Sequence, residues 1–220
     1  MTAFDPSSYG DCAAPIYDQL YPAVESGLVA TLAALARGGP VLDLGIGTGR
    51  VAIPLRRLGI PVHGVEASSA MIAAFRAHPG SEDIPVIHGD FGLAPFGASY
   101  RLIYCLVSTF YLLPTLPLQQ GCLHNIAKHL VSGGLFVSEG FSSASRYPLA
   151  DTTDIPINTP SGILPYRVTT LSTPLDVLDA MASQAHLHLV ERWSTWARVP
   201  YQLVHPRHIS VYRLVADDTA

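Results

Sequence analysis

The sequence predicts an α/β fold: a doubly wound, seven-stranded, mostly parallel sheet that ends in an antiparallel C-terminal hairpin. Short apolar runs alternate with helical patterns from residue 41 to residue 139, and this alternation is typical of such sheets. Apolar strands such as Val41–Leu44 and residues 135–137 fit a sheet that is covered on both faces. Two late strand patterns, at residues 187–197 and 208–215, are close enough in the chain to pair as the hairpin.

Length and composition indicate one globular domain, residues 1–220. Of the 220 residues, 49% are hydrophobic and 14% are charged, which is enough to build a substantial core. The net charge is −4 with 13 Lys and Arg residues, and this balance lacks the basic character that phosphate binding requires. We therefore expect no nucleic-acid partner.

Cysteine usage and hydropathy favour a reduced, cytoplasmic protein. Cys12, Cys105 and Cys122 are scattered, without the spacing of a metal site or of a disulfide framework. Residues 1–10 lack a basic segment followed by an apolar core, and no apolar run reaches the roughly 18 residues that a membrane helix requires. We expect no metal, no signal peptide and no membrane partner.

The first segment, residues 1–37, predicts a helical cap. Residues 1–11 show no pattern, whereas an apolar stripe over residues 24–35 predicts a helix packed on one face. The Gly-Gly-Pro run at residues 38–40 ends this helix.

The second segment, residues 38–140, predicts a core that binds a cofactor. Its first strand, Val41–Leu44, leads through a glycine turn into a helix that ends near Leu58 and tolerates Pro54 in its first turns. A serine at position 68 or 69 caps the helix that follows the second strand. The further strands are predicted at residues 62–66, 84–88, 100–107 and 135–139, and a further helix at residues 118–130.

The third segment, residues 141–220, is predicted to hold the substrate side and the closing strands. Four prolines between residues 148 and 165, among many Ser and Thr residues, predict mainly loop with at most short strands. A helix follows at residues 174–185, before the C-terminal hairpin.

The glycine turn after the first strand is the most informative stretch. Gly45, Gly47 and Gly49 alternate before the helix that Arg50 opens. Glycine lets a ligand approach the backbone closely, and a strand, a glycine turn and a helix N-terminus together form a cradle of nucleotide size. A dinucleotide fingerprint is G-x-G-x-x-G, whereas here the third glycine comes one position early and Arg50 takes the place of the last glycine.

Three carboxylates fall at strand ends, where the ligands of such sheets bind: Asp43, Glu66 and Asp90. Glu66 follows the glycine turn by about 20 residues, the separation at which an acidic side chain accepts both ribose hydroxyls of an adenosine. Asp90 is a candidate to bind the adenine amino group, with Met71 or Phe91 packed on the base. Asp43 is a candidate to hold the turn or to orient the ligand's amino group, and capping is the alternative role of all three carboxylates.

Read together, these motifs resemble class I S-adenosylmethionine-dependent methyltransferases, in particular their small-molecule branch. The G-x-G-x-G turn after Leu-Asp resembles motif I of that family, and residues 64–68 with Met71 resemble motif II. The resemblance covers roughly residues 16–140 in order and spacing. Further similar segments are residues 16–21 (the helix that closes over the cofactor), 88–91 (the adenine-side motif), 100–104 (the motif IV strand), 129–137 (the turn before strand five) and 208–213 (the last strand).

The resemblance implies S-adenosylmethionine as the cofactor and S-adenosylhomocysteine as the product. The glycines would pass under the methionine part, Glu66 would hold the ribose, and Asp90 and Phe91 would hold the adenine. Leu106, Val107 and Ser108 would lie beside the sulfonium. N-terminal tyrosines would close the site, with helix packing as the alternative for each. Arg50 would meet the cofactor carboxylate, with a solvent-facing position on its helix as the alternative. The cofactor-binding candidates are Tyr17, Tyr21, Asp43, Gly45, Gly47, Gly49, Arg50, Glu66, Ala67, Met71, Gly89, Asp90, Phe91, Leu106 and Ser108, with Tyr9 as a further candidate.

Methyl transfer from a sulfonium is an in-line displacement, so alignment of the reactants in a water-poor pocket provides much of the acceleration. Glu139, His208 and His124 are the candidate catalytic bases for an oxygen or nitrogen nucleophile, and His205 is a further candidate. Ordinary surface or core placement is the alternative for each histidine. Candidates to line an aromatic acceptor pocket are Tyr147, Tyr166, Tyr201, Trp193 and Trp196, for which core packing is the alternative.

The acceptor is expected to be a small organic molecule that is methylated on oxygen, nitrogen or carbon. The family's nucleic-acid amino methyltransferases carry an Asn-Pro signature after strand four, where this chain has Leu-Val-Ser-Thr. The excursion after strand five, residues 141–165, is shorter than in near relatives. The substrate pocket is therefore expected either to be open or to be completed by another chain, as in a homodimer.

Two other functions stay open at this point. One is a protein that keeps the fold and binds S-adenosylmethionine or its product without methylating anything. The other is an NAD(P)-dependent oxidoreductase, which Arg50 and the lack of a Tyr-x-x-x-Lys pair disfavour.

Overall fold

The computed structural model describes residues 4–142, 148–159 and 162–215. The described residues form two sheets and seven α-helices, with short 3₁₀ turns at Ala14–Ile16 and Thr109–Leu112. The strands are β1 (Val41–Leu44), β2 (Val62–Glu66), β3 (Val86–His88), β4 (Tyr100–Cys105), β5 (Leu130–Phe141), β6 (Leu149–Thr159), β7 (Gly162–Ser172), β8 (Leu187–Trp193) and β9 (Arg207–Leu214). The helices are α1 (Ser8–Ala13), α2 (Tyr17–Leu20), α3 (Leu28–Ala36), α4 (Ala52–Arg57), α5 (Ser69–Arg76), α6 (Leu116–His129) and α7 (Leu175–Gln184).

The larger sheet has seven strands in the order β3-β2-β1-β4-β5-β9-β8. Strands β1 to β5 run parallel, and β9 pairs antiparallel with both β5 and β8. The predicted fold class is therefore confirmed, including the C-terminal hairpin. The strand order reverses between β1 and β4, and sheets of this kind bind ligands at such a switch point.

The core lies on both faces of this sheet. One buried cluster contains Leu32, Leu55 and Phe75 from α3, α4 and α5, and the other contains Leu123 and Leu178 from α6 and α7. Burial of strand side chains between two helical layers accounts for the apolar character of β1. Among the described residues, no helix is both long enough and apolar enough to cross a membrane.

Several boundaries differ from the prediction, and two of the differences have a clear structural cause. Helix α3 begins at Leu28 because Gly27 adopts a left-handed φ of 85°, which interrupts the apolar stripe. Strand β5 begins at Leu130 rather than at residue 135, since Leu130 pairs with Tyr100 before the register shifts. Gly133 and Gly134, in the segment 129–137 that resembles the turn before strand five, therefore lie inside the strand.

The predicted loop after β5 is wrong, because β6 and β7 form an antiparallel ribbon with a continuous register. Pro156 pairs in register with Pro165. A two-stranded ribbon has only edge strands, so each strand tolerates a proline whose missing N–H faces outward. The ribbon is held at its base by Gln119, whose Nε2 donates to Leu171 O at 2.9 Å, while Thr173 Oγ1 donates to Gln119 Oε1 at 2.6 Å.

The N-terminal segment packs on α5 and forms a lid, which we define as residues 5–21. Gly10 lies so close to α5 that a Cβ there would be 2.9 Å from Ser68 Oγ. Ser68 Oγ donates to Asp11 Oδ1 at 2.6 Å, and Val168 of β7 packs on the same cluster. Residues 8–11, for which the sequence showed no pattern, are therefore part of helix α1. The ribbon contacts the lid through Val168.

Candidate active site

Three neighbouring cavities lie at the switch point between β1 and β4. The inner cavity is bounded by α5 and the lid, the middle cavity by the glycine turn and the end of β4, and the outer cavity by β5, β9 and the segment before α3. Tyr17, Gly45 and Thr109 line both the inner and the middle cavity, while Arg50 and Val107 line both the middle and the outer one. The three cavities therefore form one continuous row across the edge of the sheet.

Glu66 fastens the glycine turn at the inner cavity. Its Oε2 accepts the Gly47 N–H and its Oε1 accepts the Ser68 N–H, both at 3.0 Å. Burial raises the pKa of the Glu66 carboxyl, and the N–H donors of Ser68 and Gly47 oppose that rise. The carboxylate therefore ties the turn to the start of α5. The other inner-cavity residues that the sequence singled out are Tyr9, Tyr17, Gly45, Gly47, Ala67, Met71 and Phe91.

Asp43 closes the floor of the middle cavity. Its carboxylate is buried and accepts a hydrogen bond from the Tyr104 hydroxyl at 2.8 Å. Burial raises the pKa of Asp43 to about 7, and the negative charge of Glu66 adds to that rise. A cationic ligand group in this cavity would favour the ionised form of Asp43. Leu106 also lines this cavity, as expected of a residue that follows β4.

Arg50 lies between the middle and the outer cavity and lines both. Its Nη1 donates to Ala23 O at 3.1 Å, and its guanidinium carbon is 5.5 Å from the centroid of the Tyr21 ring. Its Nε is buried, and no acceptor among the described residues bonds it. A buried donor without a partner carries a desolvation cost, which an anionic ligand group in the middle cavity would relieve.

The outer cavity has a volume of about 240 Å³. Glu139, at the end of β5, is buried there and accepts the Val107 N–H at 3.2 Å. Arg207 bridges two carboxylates, with Nη1 2.5 Å from Glu25 Oε2 and 3.2 Å from Glu139 Oε1. Burial raises the pKa of the Glu139 carboxyl above its usual value, and the hydrogen bond from Val107 and the charge of Arg207 oppose part of that rise. Other residues that line this cavity are Tyr21, Leu28, Ser108, Gly140 and Phe141.

The structure does not bring every predicted cofactor residue to the inner or middle cavity. Asp90 Oδ1 accepts the Gly92 N–H at 2.8 Å, so this carboxylate caps its own turn, and neither Asp90 nor Gly89 lines the inner cavity. Gly49 packs against Phe75 instead of lining these two cavities. Tyr21 and Ser108 lie on the outer side.

The aromatic residues proposed for an acceptor pocket have other surroundings. Trp193 and Trp196 are buried in the core, which agrees with core packing as the alternative to an acceptor pocket. Tyr201 contacts the ring of His205, with 6.0 Å between the ring centroids. Tyr147 lies outside the described residues, and for Tyr166 only the backbone is described.

Two histidines that were predicted as bases, His124 and His205, line none of the three cavities. His124 is exposed on α6, where its Nδ1 lies 3.0 Å from Gln120 O, and it lines none of the three cavities. His205 Nδ1 accepts the Gln202 N–H at 2.9 Å within its own turn. The surface alternative therefore describes His124, because α6 turns this face to solvent.

His208 is fully buried below the outer cavity, and both ring nitrogens are engaged. Nε2 lies 3.0 Å from Tyr111 Oη, and Nδ1 lies 2.9 Å from Ser210 Oγ. Burial lowers the pKa of His208 to about 3. A residue with so low a pKa is a weak proton acceptor near neutral pH, so His208 is placed as a structural neutral histidine rather than as the base that was expected.

This burial predicts acid sensitivity of the fold. An unfolded histidine titrates near pH 6.5, so below that pH the unfolded state binds one proton more than the folded state and stability falls with falling pH. Between pH 6.5 and pH 5 we expect His208 to remove about 2 kcal/mol of stability. Urea unfolding of wild type and His208→Gln at pH 7 and pH 5 measures this difference. An equal loss in both proteins would contradict the assignment.

Several residues of the site carried no signal in the sequence. Thr109, which faces Gly45, and Glu25 and Arg207, which meet in the outer cavity, belong to no local motif. Glu25 and Arg207 are 182 residues apart. Arg207 comes near the end of β5 through the antiparallel pairing of β9 with β5, in which it lies opposite Phe141, whereas the sequence predicted only the hairpin of the last two strands.

Comparison with known proteins identifies the family. A profile described as a methyltransferase domain matches residues 41–134. The chain is 31% identical over 134 residues to the Cypemycin N-terminal methyltransferase of a Streptomyces species, a match over 59% of this chain that spans only 55% of that relative. The solved CcbJ methyltransferase of Streptomyces caelestis is 29% identical, with a TM-score of 0.83 over 97% of this chain and 100% of that one. Residues 41–134 therefore form a methyltransferase domain, and with these relatives they support a class I S-adenosylmethionine-dependent methyltransferase.

A more distant structure has the same fold. CalS10, an amino pentose methyltransferase from Micromonospora echinaspora, is 18% identical and has a TM-score of 0.68 over 91% of this methyltransferase and 97% of its own chain. The methyltransferase-domain match at residues 41–134 includes the glycine turn, Glu66 and the turn after β4. Glu139 and Arg207 lie beyond it, so part of the outer cavity is built from residues outside the matched domain.

Proposed function

We propose that this methyltransferase binds S-adenosylmethionine and transfers its methyl group to a small organic acceptor that presents an amine nitrogen. The observation that carries the proposal is the continuous row of three cavities at the switch point, with Glu66 at one end, Arg50 in the middle and Glu139 at the other end. A row of this kind suits an elongated cofactor whose reactive end meets a second molecule.

The residues present fit the cofactor part by part. Glu66 offers carboxylate oxygens to ribose hydroxyls, with Met71 and Phe91 as apolar walls for the base. In the middle cavity, the unpaired Arg50 Nε suits the carboxylate of the methionine part, and Asp43 suits its ammonium group. The inner cavity holds only about 40 Å³ with the lid in place, so entry of an adenosine requires that the lid move outward.

When bound, the cofactor supplies an electrophilic methyl group on a sulfonium. The chain's own contribution is to align that group and to exclude water. Tyr17 stands over the junction of the inner and middle cavities, and burial raises the pKa of Tyr17 to about 12. Its phenol therefore stays protonated near neutral pH and acts as a polar wall rather than as a base.

The amine assignment rests on the described residues of the outer cavity, which offer no free strong base. No histidine lines the cavity among the described residues, and both Glu139 oxygens already accept hydrogen bonds, from Val107 and Arg207. An alcohol requires removal of its proton as it attacks, whereas a neutral amine attacks through its lone pair. The names of two similar proteins, Cypemycin N-terminal methyltransferase and glycopeptide N-methyltransferase MtfA, likewise refer to nitrogen.

The proposal is tested in two stages with the full chain. Calorimetry with S-adenosylhomocysteine and with NAD tests the cofactor, and we expect binding of the first alone. Transfer of a labelled methyl group is then measured on a panel of small amines, each paired with its N-acetylated form and with the alcohol of the same skeleton. Label in amines alone supports the proposal. Preference for NAD, label only in alcohols, or cofactor binding without any transfer would contradict it, and the last result would favour the non-methylating alternative.

The division of the chain is proposed on the same grounds. The lid and α3, within residues 1–37, cover the cofactor side, residues 38–140 supply the inner and middle cavities, and residues 141–220 supply Arg207 and the ribbon. A homodimer stays a prediction, which analytical ultracentrifugation measures directly.

A further inference from the structure

The turn after β4 has an unusual backbone. Val107 has a φ of 52° and Ser108 a φ of 62°. A β-branched residue in the left-handed region is a genuine outlier, and such strain persists only where the surrounding structure enforces it. Val107 lines both the middle and the outer cavity. The strained turn is therefore the wall between the two halves of the proposed reaction site.

Glu139 enforces this conformation from two directions. Its side-chain Oε2 accepts the Val107 N–H at 3.2 Å, and its carbonyl oxygen accepts the Ser108 N–H at 3.0 Å. Ser108 Oγ returns the contact by accepting the Phe141 N–H at 3.1 Å. Two consecutive left-handed residues thus present their N–H groups to one glutamate of β5.

Glu139 is itself held in place by charge. Its side chain is 6% exposed, and its second oxygen lies 3.2 Å from Arg207 Nη1. Arg207 is fixed in turn by the Glu25 carboxylate and by Ser194 O, at 3.0 Å and 3.1 Å from its Nη2. The carboxylate therefore has a single orientation, because each oxygen accepts a hydrogen bond from a group that is itself fixed.

We propose that Glu139 is a positioning residue, which holds the Val107–Ser108 turn in its left-handed form between the cofactor and the acceptor, and not the proton acceptor of the reaction. The inference rests on the proposed function, since it assigns a role within that site. It replaces the expectation that Glu139 is a catalytic base.

The test compares four variants in the full chain: Glu139→Gln, Glu139→Ala, Val107→Gly and the double variant Val107→Gly with Glu139→Ala. S-adenosylhomocysteine binding by calorimetry and the midpoint of thermal unfolding are measured for each. Gln keeps an oxygen for the Val107 N–H, and glycine adopts a positive φ without strain. We expect Glu139→Ala to weaken binding about 10-fold, and Glu139→Gln and the double variant each to stay within about 3-fold of wild type.

The outcomes separate this inference from the proposed function. If Glu139→Gln is as weak as Glu139→Ala, or if Val107→Gly restores nothing in the double variant, the positioning role is wrong. If wild type does not bind S-adenosylhomocysteine, the proposed function fails. The thermal unfolding midpoints then decide the inference. The positioning role requires that Val107→Gly raise the midpoint when it is added to Glu139→Ala, and that this rise exceed the change that Val107→Gly causes in wild type.

Discussion

Replacement of Glu66 by alanine is expected to weaken S-adenosylhomocysteine binding roughly 100-fold, a loss of about 3 kcal/mol, on the scale of lost hydrogen bonds to a charged group. The carboxylate is assigned to the ribose, and it also accepts the N–H groups of Gly47 and Ser68. Its removal therefore takes away a ligand contact and releases the turn that shapes the inner cavity. Calorimetric titration of wild type and Glu66→Ala under identical conditions measures the loss.

Glu82 provides the matched control for this prediction. It is an exposed glutamate whose Oε2 accepts the Gly80 N–H at 2.8 Å, so Glu82→Ala removes the same kind of bond away from the inner cavity. We expect Glu82→Ala to bind the product as wild type does, and Glu66→Gln to fall between wild type and Glu66→Ala. Unchanged affinity in Glu66→Ala would show that the ribose assignment is wrong.

The parallel core was predictable because its information is local. Strands β1 and β2 begin and end at the residues that the sequence predicted, since proline precedes each strand, the glycine turn follows β1 and a serine cap follows β2. The start of β5 was not predictable, because it depends on pairing of Leu130 with Tyr100 across the sheet. Propensity alone cannot locate a boundary that a partner strand determines.

The ribbon β6–β7 was missed for a related reason. Prolines and many small polar residues predict loop when each position is taken alone. Pro156 and Pro165 are compatible with strand only because they are partners in a ribbon that has no central strand. Register between two segments is a pairwise property, and no single segment displays it.

The residues of the candidate site likewise fall into two groups: those that a local pattern predicts and those that come together only in the assembled sheet. Glu66 and Asp43 were found because they end β2 or lie near the end of β1, where the topology places ligands. Asp90 follows β3 in the same way, yet it does not line the inner cavity, and its Oδ1 accepts the Gly92 N–H of its own turn. The contact of Arg207 with Glu25 joins the two ends of the chain, so the charge network of the outer cavity emerges only when the sheet is assembled.

Gly49→Ala is expected to cost about 4 kcal/mol of folding stability, the sum of about 1–2 kcal/mol for a left-handed non-glycine residue and about 1–3 kcal/mol for overpacking. Gly49 has a φ of 83°, and a Cβ there would lie 2.5 Å from Phe75 Cε2. Phe75 is fully buried, so its ring cannot move away from an added Cβ without displacing other core residues. For a chain of this length we expect the thermal unfolding midpoint to fall by roughly 10 °C, which calorimetry measures.

Gly38→Ala separates the two causes. Gly38 has a similar φ of 76°, but nothing lies within 4 Å of its added Cβ, so only the backbone cost of about 1 kcal/mol remains and the midpoint should fall by about 3 °C. Equal shifts in the two variants would mean that contact with Phe75 is not what requires glycine at position 49. A larger shift in Gly49→Ala would show that the third glycine of the turn fits α5 against β1, while Gly45 and Gly47 line the cavity where the cofactor is proposed to bind.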